Sequence, residues 1–172
     1  MLYQILNSFL NKTDPETAHE YAIKFLKQDI IPFDFFKFTA DQSLKIKVFG
    51  IDFDNPIGLA AGFDKNAEVY NSIFKLGFGF SEVGTITPEP QNGNPKPRVF
   101  RLNADQAIIN SLGFPNDGMN KVHERIKNNP KKSILGINIG PNKENATKKD
   151  DYLRCIETVS YTHLRAHETS LH

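Results

Sequence analysis

The chain has 172 residues, of which 39% are hydrophobic and 24% charged, and its formal net charge is +1. This composition is typical of a globular protein, and the near-neutral charge gives no reason to expect a nucleic-acid partner. The single cysteine, Cys155, excludes an internal disulfide. No stretch approaches the roughly 18 apolar residues of a membrane-spanning helix, and no secretory signal is expected.

Two amphipathic helices are predicted near the N-terminus. Apolar residues recur at helical spacing from Leu2 to Leu10. Asp14 and Pro15 then predict a second helix start, because aspartate caps a first turn and proline suits the first helical position. The apolar face of this second helix is predicted to contain Ala18, Tyr21, Ala22, Phe25 and Leu26. We expect a helical hairpin that, with the aromatic patch at residues 30–38, either packs on the adjoining domain or faces lipid.

A strand, a helix and a second strand are predicted between residues 55 and 87. A short β-hairpin around Ile46 and Ile51 precedes them. The first strand is the buried run at residues 57–62, and the second is Phe80–Ile86. The helix between them is predicted from apolar residues at Ala67, Val69, Ile73, Phe74 and Leu76, and Gly77 suits its C-terminal cap. This βαβ order implies parallel strands.

The remainder of the chain repeats the strand and helix pattern. Residues 88–97 are predicted to be a loop, and its continuation at residues 99–114 is long enough to indicate a functional segment. A helix at residues 116–128, a buried strand at 133–139 and a helix at 150–159 follow. The sequence therefore predicts about three βα units, and it stops where a fourth strand is expected.

The ends of the predicted strands carry the residues suited to chemistry. Ala61, Gly62, Phe63, Asp64 and Lys65 follow the first strand, and Gly84 and Thr85 lie in the second. Ligands of parallel α/β folds bind at the C-terminal ends of the strands. Small residues there allow a flat ligand to approach the backbone, and an amine could meet an anion.

Four longer segments resemble the dihydroorotate dehydrogenase family. They are NPIGLAAGFDK, GFGFSEVGTITPEPQNGNPKPRVFRL, IINSLGFPNDG and LGINIGPNK, and the resemblance extends over about residues 1–160. The helix containing TDPETAHEYA and the one before it resemble the N-terminal extension of class 2, quinone-dependent members. The fold implied is an FMN-type (β/α)8 TIM barrel, with only about the first three βα units present, preceded by a small α-helical hairpin.

The resemblance implies oxidation of dihydroorotate to orotate through FMN, with a membrane quinone as the electron acceptor, in pyrimidine biosynthesis. The N-terminal helices would then meet the membrane surface. The implied location is peripheral, on the cytoplasmic face of the inner membrane of a bacterium. No nucleic-acid partner is expected.

Site roles carry over from the family at matching positions. The predicted FMN-binding residues are Ala61, Gly62, Phe63, Asp64, Lys65, Thr85 and Asn138. The predicted substrate-binding residues are Lys65, Asn110, Ser111, Leu112, Gly113 and Phe114. Asn110 offers a donor and an acceptor, which suits the amide edge of a pyrimidine ring. Lys65 would favour an anionic substrate and an electron-rich flavin.

The resemblance ends at about Thr162. The family continues into a fourth strand with an Asn-x-x-Ser motif, whose serine is the catalytic base of class 2 members, and no counterpart is present here. We therefore predict three regions: a membrane- and quinone-facing hairpin at 1–40, part of the barrel at 41–162, and a non-native tail at 163–172. The chain by itself is expected to be an inactive fragment without a catalytic residue. His163 and His167 in the tail are not expected to bind metal.

Two alternatives remain. One is a class 1-type flavin dehydrogenase that acts on a pyrimidine with a soluble acceptor, and the other is a non-catalytic membrane-surface fragment. The N-terminal hairpin argues against the first. Cys155 is predicted to be a packed helix residue rather than a nucleophile, and His19 a helix-surface or interface residue.

Overall fold

A computed structural model describes residues 12–28, 41–144 and 148–163, with side chains described as far as residue 159. The helix predicted at Leu2–Leu10, the aromatic patch at residues 30–38 and most of the predicted tail lie outside these residues. The side chains of the His163–His167 pair also lie outside them. Within the described ranges, no helix has the length and apolar character needed to cross a membrane.

The second predicted helix is present as α1, Pro15–Lys27. Asp14 caps it as expected, because its Oδ1 accepts a hydrogen bond of 2.9 Å from the backbone N–H of Thr17. Pro15 occupies the first turn, where its missing N–H is not needed.

The predicted apolar face of α1 is only partly right. Leu26 is buried, but its buried companion is Ile23, whereas Tyr21 and Phe25 are 46% and 55% exposed. Ile23 and Leu26 form one cluster with Val69 and Ile73. The residues that pack against α1 therefore determine which of its sides is buried, and helical spacing alone does not identify that side.

The predicted N-terminal β-hairpin is confirmed. It consists of β1, Ile46–Val48, and β2, Ile51–Phe53, which pair antiparallel, and a 3₁₀ turn at Gln42–Leu44 precedes them. The connecting turn places Phe49 and Gly50 at φ values of 50° and 78°. Phe49 is 95% exposed at the tip of this hairpin.

Three strands form the parallel sheet that the βαβ order predicts. They are β3, Gly58–Leu59, β4, Phe80–Ile86, and β7, Ile134–Ile139, in the spatial order β3–β4–β7. The α/β architecture with a parallel sheet is therefore confirmed, and β4 has the predicted bounds. β3 is much shorter than predicted, and β7 is mostly half-buried rather than buried.

The helices α2, Tyr70–Lys75, α3, Met119–Asn128, and α4, Lys148–His163, follow the three parallel strands in chain order. α2 begins later than its apolar pattern predicts, because Ala67 has a φ of 54° and Val69 is the N-cap. Its end is as predicted, since Gly77 has a φ of 96° and donates to Phe74 O over 3.1 Å. In α4, Cys155 is buried as predicted, but Leu153 and Ile156 are 48% and 44% exposed.

The long segment between β4 and α3 contains a second antiparallel hairpin. It consists of β5, Val99–Leu102, and β6, Ala107–Asn110. The prediction of a loop through residues 99–114 is wrong over these two strands. All four residues of β6 are exposed, so the strand lacks the buried face that would mark it in the sequence.

The core lies between the sheet and the helices. Its main cluster joins residues of β4, β7, α2 and α3 with Ala67, which precedes α2: Ala67, Tyr70, Val83, Ile86, Val122, Ile126 and Leu135. The C-terminal ends of β3, β4 and β7 carry the predicted FMN-binding residues, and the segment after β3 lines a cavity together with α1 and the second hairpin.

Candidate active site

The ends of the three parallel strands lie against one another. The N–H of Gly62, just after β3, donates to Gly84 O in β4 over 2.8 Å, and the N–H of Gly84 donates to Asp64 O over 3.1 Å. Thr85 Oγ1 donates to Oδ1 of Asn138 in β7 over 2.7 Å. The structure therefore brings together the strand-end residues that the sequence predicted.

Glycine is required at position 84 because two strands approach closely there. A Cβ on Gly84 would lie 2.4 Å from Asn138 O, and the φ of this residue is 107°. Gly62 has nearly the same φ, 108°, but a Cβ built on it would meet no atom within 4 Å. Gly84 therefore allows β4 and β7 to pair, whereas Gly62 presents its backbone to open space.

Asp64 anchors the loop that follows β3. Its Oδ1 and Oδ2 accept hydrogen bonds from the backbone N–H groups of Glu68 and Val69 over 2.7 and 2.8 Å, and its residue exposure is 1%. Burial raises the pKa of this carboxyl above its usual value, and the two backbone N–H groups oppose that shift. These contacts fix the chain immediately after the strand, and with it the position of Lys65.

A cavity of about 850 Å³ lies beside the strand ends. It is lined by residues 62–65, by one side of α1 and by parts of the second hairpin, including Asn110 and Leu112. In the predicted substrate segment, Ser111 and Phe114 are exposed and Gly113 is half-buried. Asn110 and Leu112 thus line the same cavity as Lys65, whereas Ser111, Gly113, Phe114, Thr85 and Asn138 are not among its lining residues.

Lys65 meets α1 at this cavity. Its Nζ lies 3.2 Å from Nε2 of His19, and the His19 ring packs edge-on against Phe63 with the centroids 5.1 Å apart. His19 is thus an interface residue, which agrees with the sequence-based expectation. An ammonium donor and a neutral imidazole acceptor fit this distance.

The surroundings of Lys65 and His19 shift the pKa values of both groups. Burial is the main cause that lowers the pKa of Lys65, with Glu16 opposing and Arg98 adding to the shift. Burial also lowers the pKa of His19, and the charge of Lys65 lowers it further. The Lys65 amine and the His19 ring share this cavity with the basic side chains of Lys24, Lys27 and Arg98 and with carboxylates that include Glu16 and Glu20. The described residues include no group of three or more His, Cys, Asp or Glu able to bind a metal.

Several residues at the site had no role in the sequence analysis. Arg98 is 6% exposed and forms a two-pronged ion pair with Glu16 of α1, with an Nη2–Oε1 distance of 2.8 Å. Asn116 is buried and accepts hydrogen bonds from the N–H groups of Thr87 and Gly118. The only signal in the sequence was the concentration of polar residues in a long segment, because Glu16, the ion-pair partner of Arg98, lies 82 residues away along the chain.

Comparison with known proteins agrees with this geometry. The family profile described as dihydroorotate dehydrogenase matches residues 43–168. A relative from Bartonella henselae, named dihydroorotate dehydrogenase (quinone), is 52% identical over 149 residues, which cover 87% of this chain and 40% of the relative. A relative of the same name from Idiomarina loihiensis is 46% identical over 161 residues, covering 92% of this chain and 48% of the relative.

Solved structures give the same result. DHODH from Eimeria tenella in complex with ferulenol superimposes with a TM-score of 0.82 at 39% identity, covering 92% of this chain and 45% of that one. The ligand-free form from the same organism has a TM-score of 0.80 at 42% identity, covering 87% and 43%. The chain thus spans less than half the length of these relatives, and its α/β sheet fits part of a TIM barrel. On this evidence the chain belongs to the dihydroorotate dehydrogenase family, a family of flavoprotein oxidoreductases.

Proposed function

We propose that this chain forms the N-terminal part of a quinone-dependent dihydroorotate dehydrogenase, which oxidises dihydroorotate to orotate in pyrimidine biosynthesis. The observation that carries the proposal is the position of Lys65. Its side chain lines one cavity with Asn110 and Leu112 and follows the end of β3. A basic side chain and an amide side chain in one cavity beside a strand end suit a flat, anionic pyrimidine beside a flat cofactor.

The strand ends fit FMN. The backbone at Gly62 faces open space, so a flat ring can lie against it, and Thr85 and Asn138 lie on the two neighbouring strands. We propose that Ala61, Gly62, Phe63, Asp64, Lys65, Thr85 and Asn138 contact FMN, with Asp64 acting through the loop that it anchors. When bound, FMN supplies hydride acceptance from the substrate and electron transfer to the acceptor.

The substrate would lie on the cavity side of this group of residues. Lys65 would pair with the carboxylate of dihydroorotate or orotate, and Asn110 would meet the amide edge of the ring. The segment Ser111, Leu112, Gly113 and Phe114 would close over the ring. These residues bind and orient the substrate, and Lys65 also favours negative charge on the flavin.

We propose that the remaining barrel strands and the catalytic base lie outside residues 1–172. The parallel sheet here has three strands, and a (β/α)8 barrel needs eight. Curated relatives are more than twice as long as the matched region, which supports the proposal. We propose that residues 41–162 form the first part of the barrel and that residues 163–172 are a non-native tail, and the family profile, which extends to residue 168, overlaps that tail in part.

The electron acceptor is proposed to be a membrane quinone, reached through residues 1–40. The relatives named dihydroorotate dehydrogenase (quinone) support this choice over a soluble acceptor, and several come from bacteria. The exposed aromatic residues of α1, Tyr21 and Phe25, suit a lipid-facing surface. The proposed location is therefore peripheral, on the cytoplasmic face of the inner membrane.

The test uses Lys65→Met in the protein encoded by the complete reading frame. Methionine keeps most of the side-chain length and removes the charge, so we expect orotate affinity to fall roughly 10- to 100-fold, as loss of a charged hydrogen bond implies. Lys127→Met on an exposed part of α3 is the matched control and should leave affinity unchanged. Isothermal titration with orotate measures both, and equal affinities in the two variants would contradict the proposed role of Lys65.

Two further results bear on the wider proposal. Deleting residues 1–40 should abolish quinone reduction and leave flavin reduction by dihydroorotate intact. Flavin absorbance that co-purifies with the 172-residue chain, together with dihydroorotate-dependent dye reduction, would show that the chain needs no base from outside. Liposome binding without any flavin binding would favour the non-catalytic membrane-surface alternative.

A further inference from the structure

Side chains outside the proposed substrate segment, residues 111–114, donate hydrogen bonds to its backbone. All four backbone carbonyls of residues 111–114 accept a hydrogen bond from a side-chain nitrogen. The donor and acceptor pairs are Asn94 Nδ2 to Ser111 O (2.7 Å), Arg98 Nη1 to Leu112 O (3.3 Å), Gln91 Nε2 to Gly113 O (3.0 Å) and Phe114 O (3.2 Å), and Asn116 Nδ2 to Phe114 O (2.9 Å). The conformation of this segment is therefore set by donors outside it.

The Gln91 amide bridges two parts of the chain, and Asn94 makes a parallel link because its Oδ1 accepts from Lys143 Nζ over 2.9 Å. Its Nε2 donates to Gly113 O and Phe114 O, and its Oε1 accepts from Asn142 Nδ2 and from the N–H of Lys143, both over 3.1 Å. A glutamine amide has two N–H donors and two acceptor lone pairs, so its full capacity is used. A single side chain thus connects the substrate segment to the loop after β7.

The two carbonyls that Gln91 holds belong to residues with a positive φ, which glycine adopts readily and phenylalanine does not. Gly113 has a φ of 73° and Phe114 a φ of 52°. Phenylalanine seldom adopts a positive φ, and such a residue persists only where its surroundings hold it there. The hydrogen bonds from Gln91 are placed where this support is required.

The other side of the bridge is firmly anchored. The N–H of Asn142 donates to Asp151 Oδ2 over 2.9 Å, and Asp151 is completely buried in α4. Asn142 Nδ2 also donates to Glu89 O over 2.9 Å, and its Oδ1 accepts from the N–H of Glu89 over 3.0 Å. Gln91 therefore ties the substrate segment to a rigid part of the fold.

We propose that Gln91 is a positioning residue that holds residues 111–114 in the conformation that receives substrate. Gln91 lines the proposed substrate cavity, but protein groups occupy all four hydrogen-bonding positions of its amide, so we expect it to act through the carbonyls of Gly113 and Phe114. The identity of the ligand rests on the proposed function, but the control of the loop conformation does not.

The test compares hydrogen–deuterium exchange in three forms of the 172-residue chain: wild type, Gln91→Glu and Gln106→Glu. Gln91→Glu keeps the acceptor oxygen for Asn142 and Lys143 and removes the donor to the loop. Gln106→Glu makes the same chemical change in the exposed turn between β5 and β6. We expect amides of residues 108–116 to exchange roughly tenfold faster in Gln91→Glu only, as loss of two neutral hydrogen bonds implies.

The pH dependence separates positioning from a general loss of structure. The excess exchange of Gln91→Glu over Gln106→Glu should decline as the pH falls through the pKa of the introduced carboxyl, because a protonated carboxyl regains one donor. Residues 80–86 of β4 provide the internal reference and should exchange alike in all three forms. Loop exchange equal to wild type in Gln91→Glu would overturn the proposal.

If Gln91→Glu exchanges rapidly throughout the chain, a further variant, Gln91→Asn, is measured. It keeps a neutral amide but shortens the side chain by one methylene group. Faster exchange confined to residues 108–116 in that variant supports the proposal, and faster exchange throughout the chain overturns it. Orotate is added last, to the protein encoded by the complete reading frame, because the proposed function concerns that protein. If orotate does not protect residues 108–116 there while Gln91→Glu still speeds their exchange, the result counts against the proposed function and not against the role of Gln91.

Discussion

Arg98 joins two distant parts of the chain through a single guanidinium group. Its Nη2 lies 2.8 Å from Glu16 Oε1 in α1, and its Nη1 donates to the carbonyls of Asn92 and Asn94 over 2.6 and 2.9 Å. Gly93 makes this possible, because a Cβ there would lie 2.6 Å from Arg98 Nη1. A planar guanidinium can serve a carboxylate and several carbonyls at once, which a lysine ammonium cannot.

Arg98→Lys is therefore expected to destabilise the fold although it conserves charge. The free energy of unfolding should fall by about 2 kcal/mol, because buried hydrogen bonds to a charged group are lost. Arg154→Lys is the matched control, since the pair of Arg154 with Glu89 is exposed, and no measurable change is expected. Urea denaturation measures both, and equal losses in the two variants would contradict a special role for Arg98.

His19 gives the fold a dependence on pH. Burial and then the charge of Lys65 lower its pKa below the usual value of 6.5, while Glu20 and Glu16 oppose the shift. The unfolded chain therefore binds this proton more readily than the folded chain does. The corresponding stability is present above about pH 6.5 and is lost as the pH falls through the folded-state pKa.

His19→Gln should reduce this loss, because glutamine does not titrate. The quantity to measure is the difference in unfolding free energy between about pH 7.5 and pH 5.5, which should be smaller in His19→Gln than in wild type. Lys65→Met should give an intermediate value, since it removes only the second cause of the shift. A difference that is unchanged in His19→Gln would assign the pH dependence to other groups.

At the scale of elements, the approach of β4 to β7 depends on one glycine. Gly84 and Gly62 have almost the same φ, at 107° and 108°, but only Gly84 has a neighbouring atom in the way of a Cβ. The pair therefore separates the cost of backbone strain from the cost of steric overlap between strands.

Gly62→Ala should lower the free energy of unfolding by about 1 to 3 kcal/mol, the cost of an unfavourable backbone conformation. Gly84→Ala should lower it further, by about another 1 to 3 kcal/mol, because the strands must separate to admit the methyl group. Chemical denaturation of the two variants side by side tests this order. If Gly62→Ala lost more unfolding free energy than Gly84→Ala, the close contact between β4 and β7 would not be the larger cost, and the expected order would be wrong.

For the whole molecule, Cys155 reports on the opening of the fold. It is the only cysteine in the chain, and its thiol is fully buried, with Sγ 3.9 Å from Ile86 O in β4. Burial raises the pKa of this thiol to about 11, and Asp151 adds to the shift. The thiolate that reacts is therefore scarce, and the reagent has no direct access while α4 is docked.

We expect labelling of Cys155 by a disulfide reagent at about pH 8 to be slow and to accelerate with denaturant in proportion to global unfolding. The control is the double variant Cys155→Ala/Ser43→Cys, which places the thiol on an exposed 3₁₀ turn and should react at once. If labelling of Cys155 does not depend on denaturant, α4 opens separately from the rest of the fold.

Local signals in the sequence determined several features that the structure confirms. The bounds of β4, the cap at Asp14 and the left-handed Gly77 all depend on residues within a few positions of one another. The meeting of the strand ends near Thr85 and Asn138 also followed, because parallel strands place their C-terminal ends along one edge. The family motifs supplied the expected ligands at those positions.

Only the tertiary structure determined which side chains are buried and which pair with residues far away in the sequence. The apolar spacing of α1 placed Tyr21 and Phe25 on its apolar face, but packing against the neighbouring residues Val69 and Ile73 buries Ile23, which is not on the predicted face. The partner of Arg98 lies 82 residues away, so no local pattern contains the pair. The same holds for the bridge made by Gln91. Hydrogen-bond partners separated by such distances in the chain meet only once the core has packed, and the physics that pairs them is therefore absent from any short window of sequence.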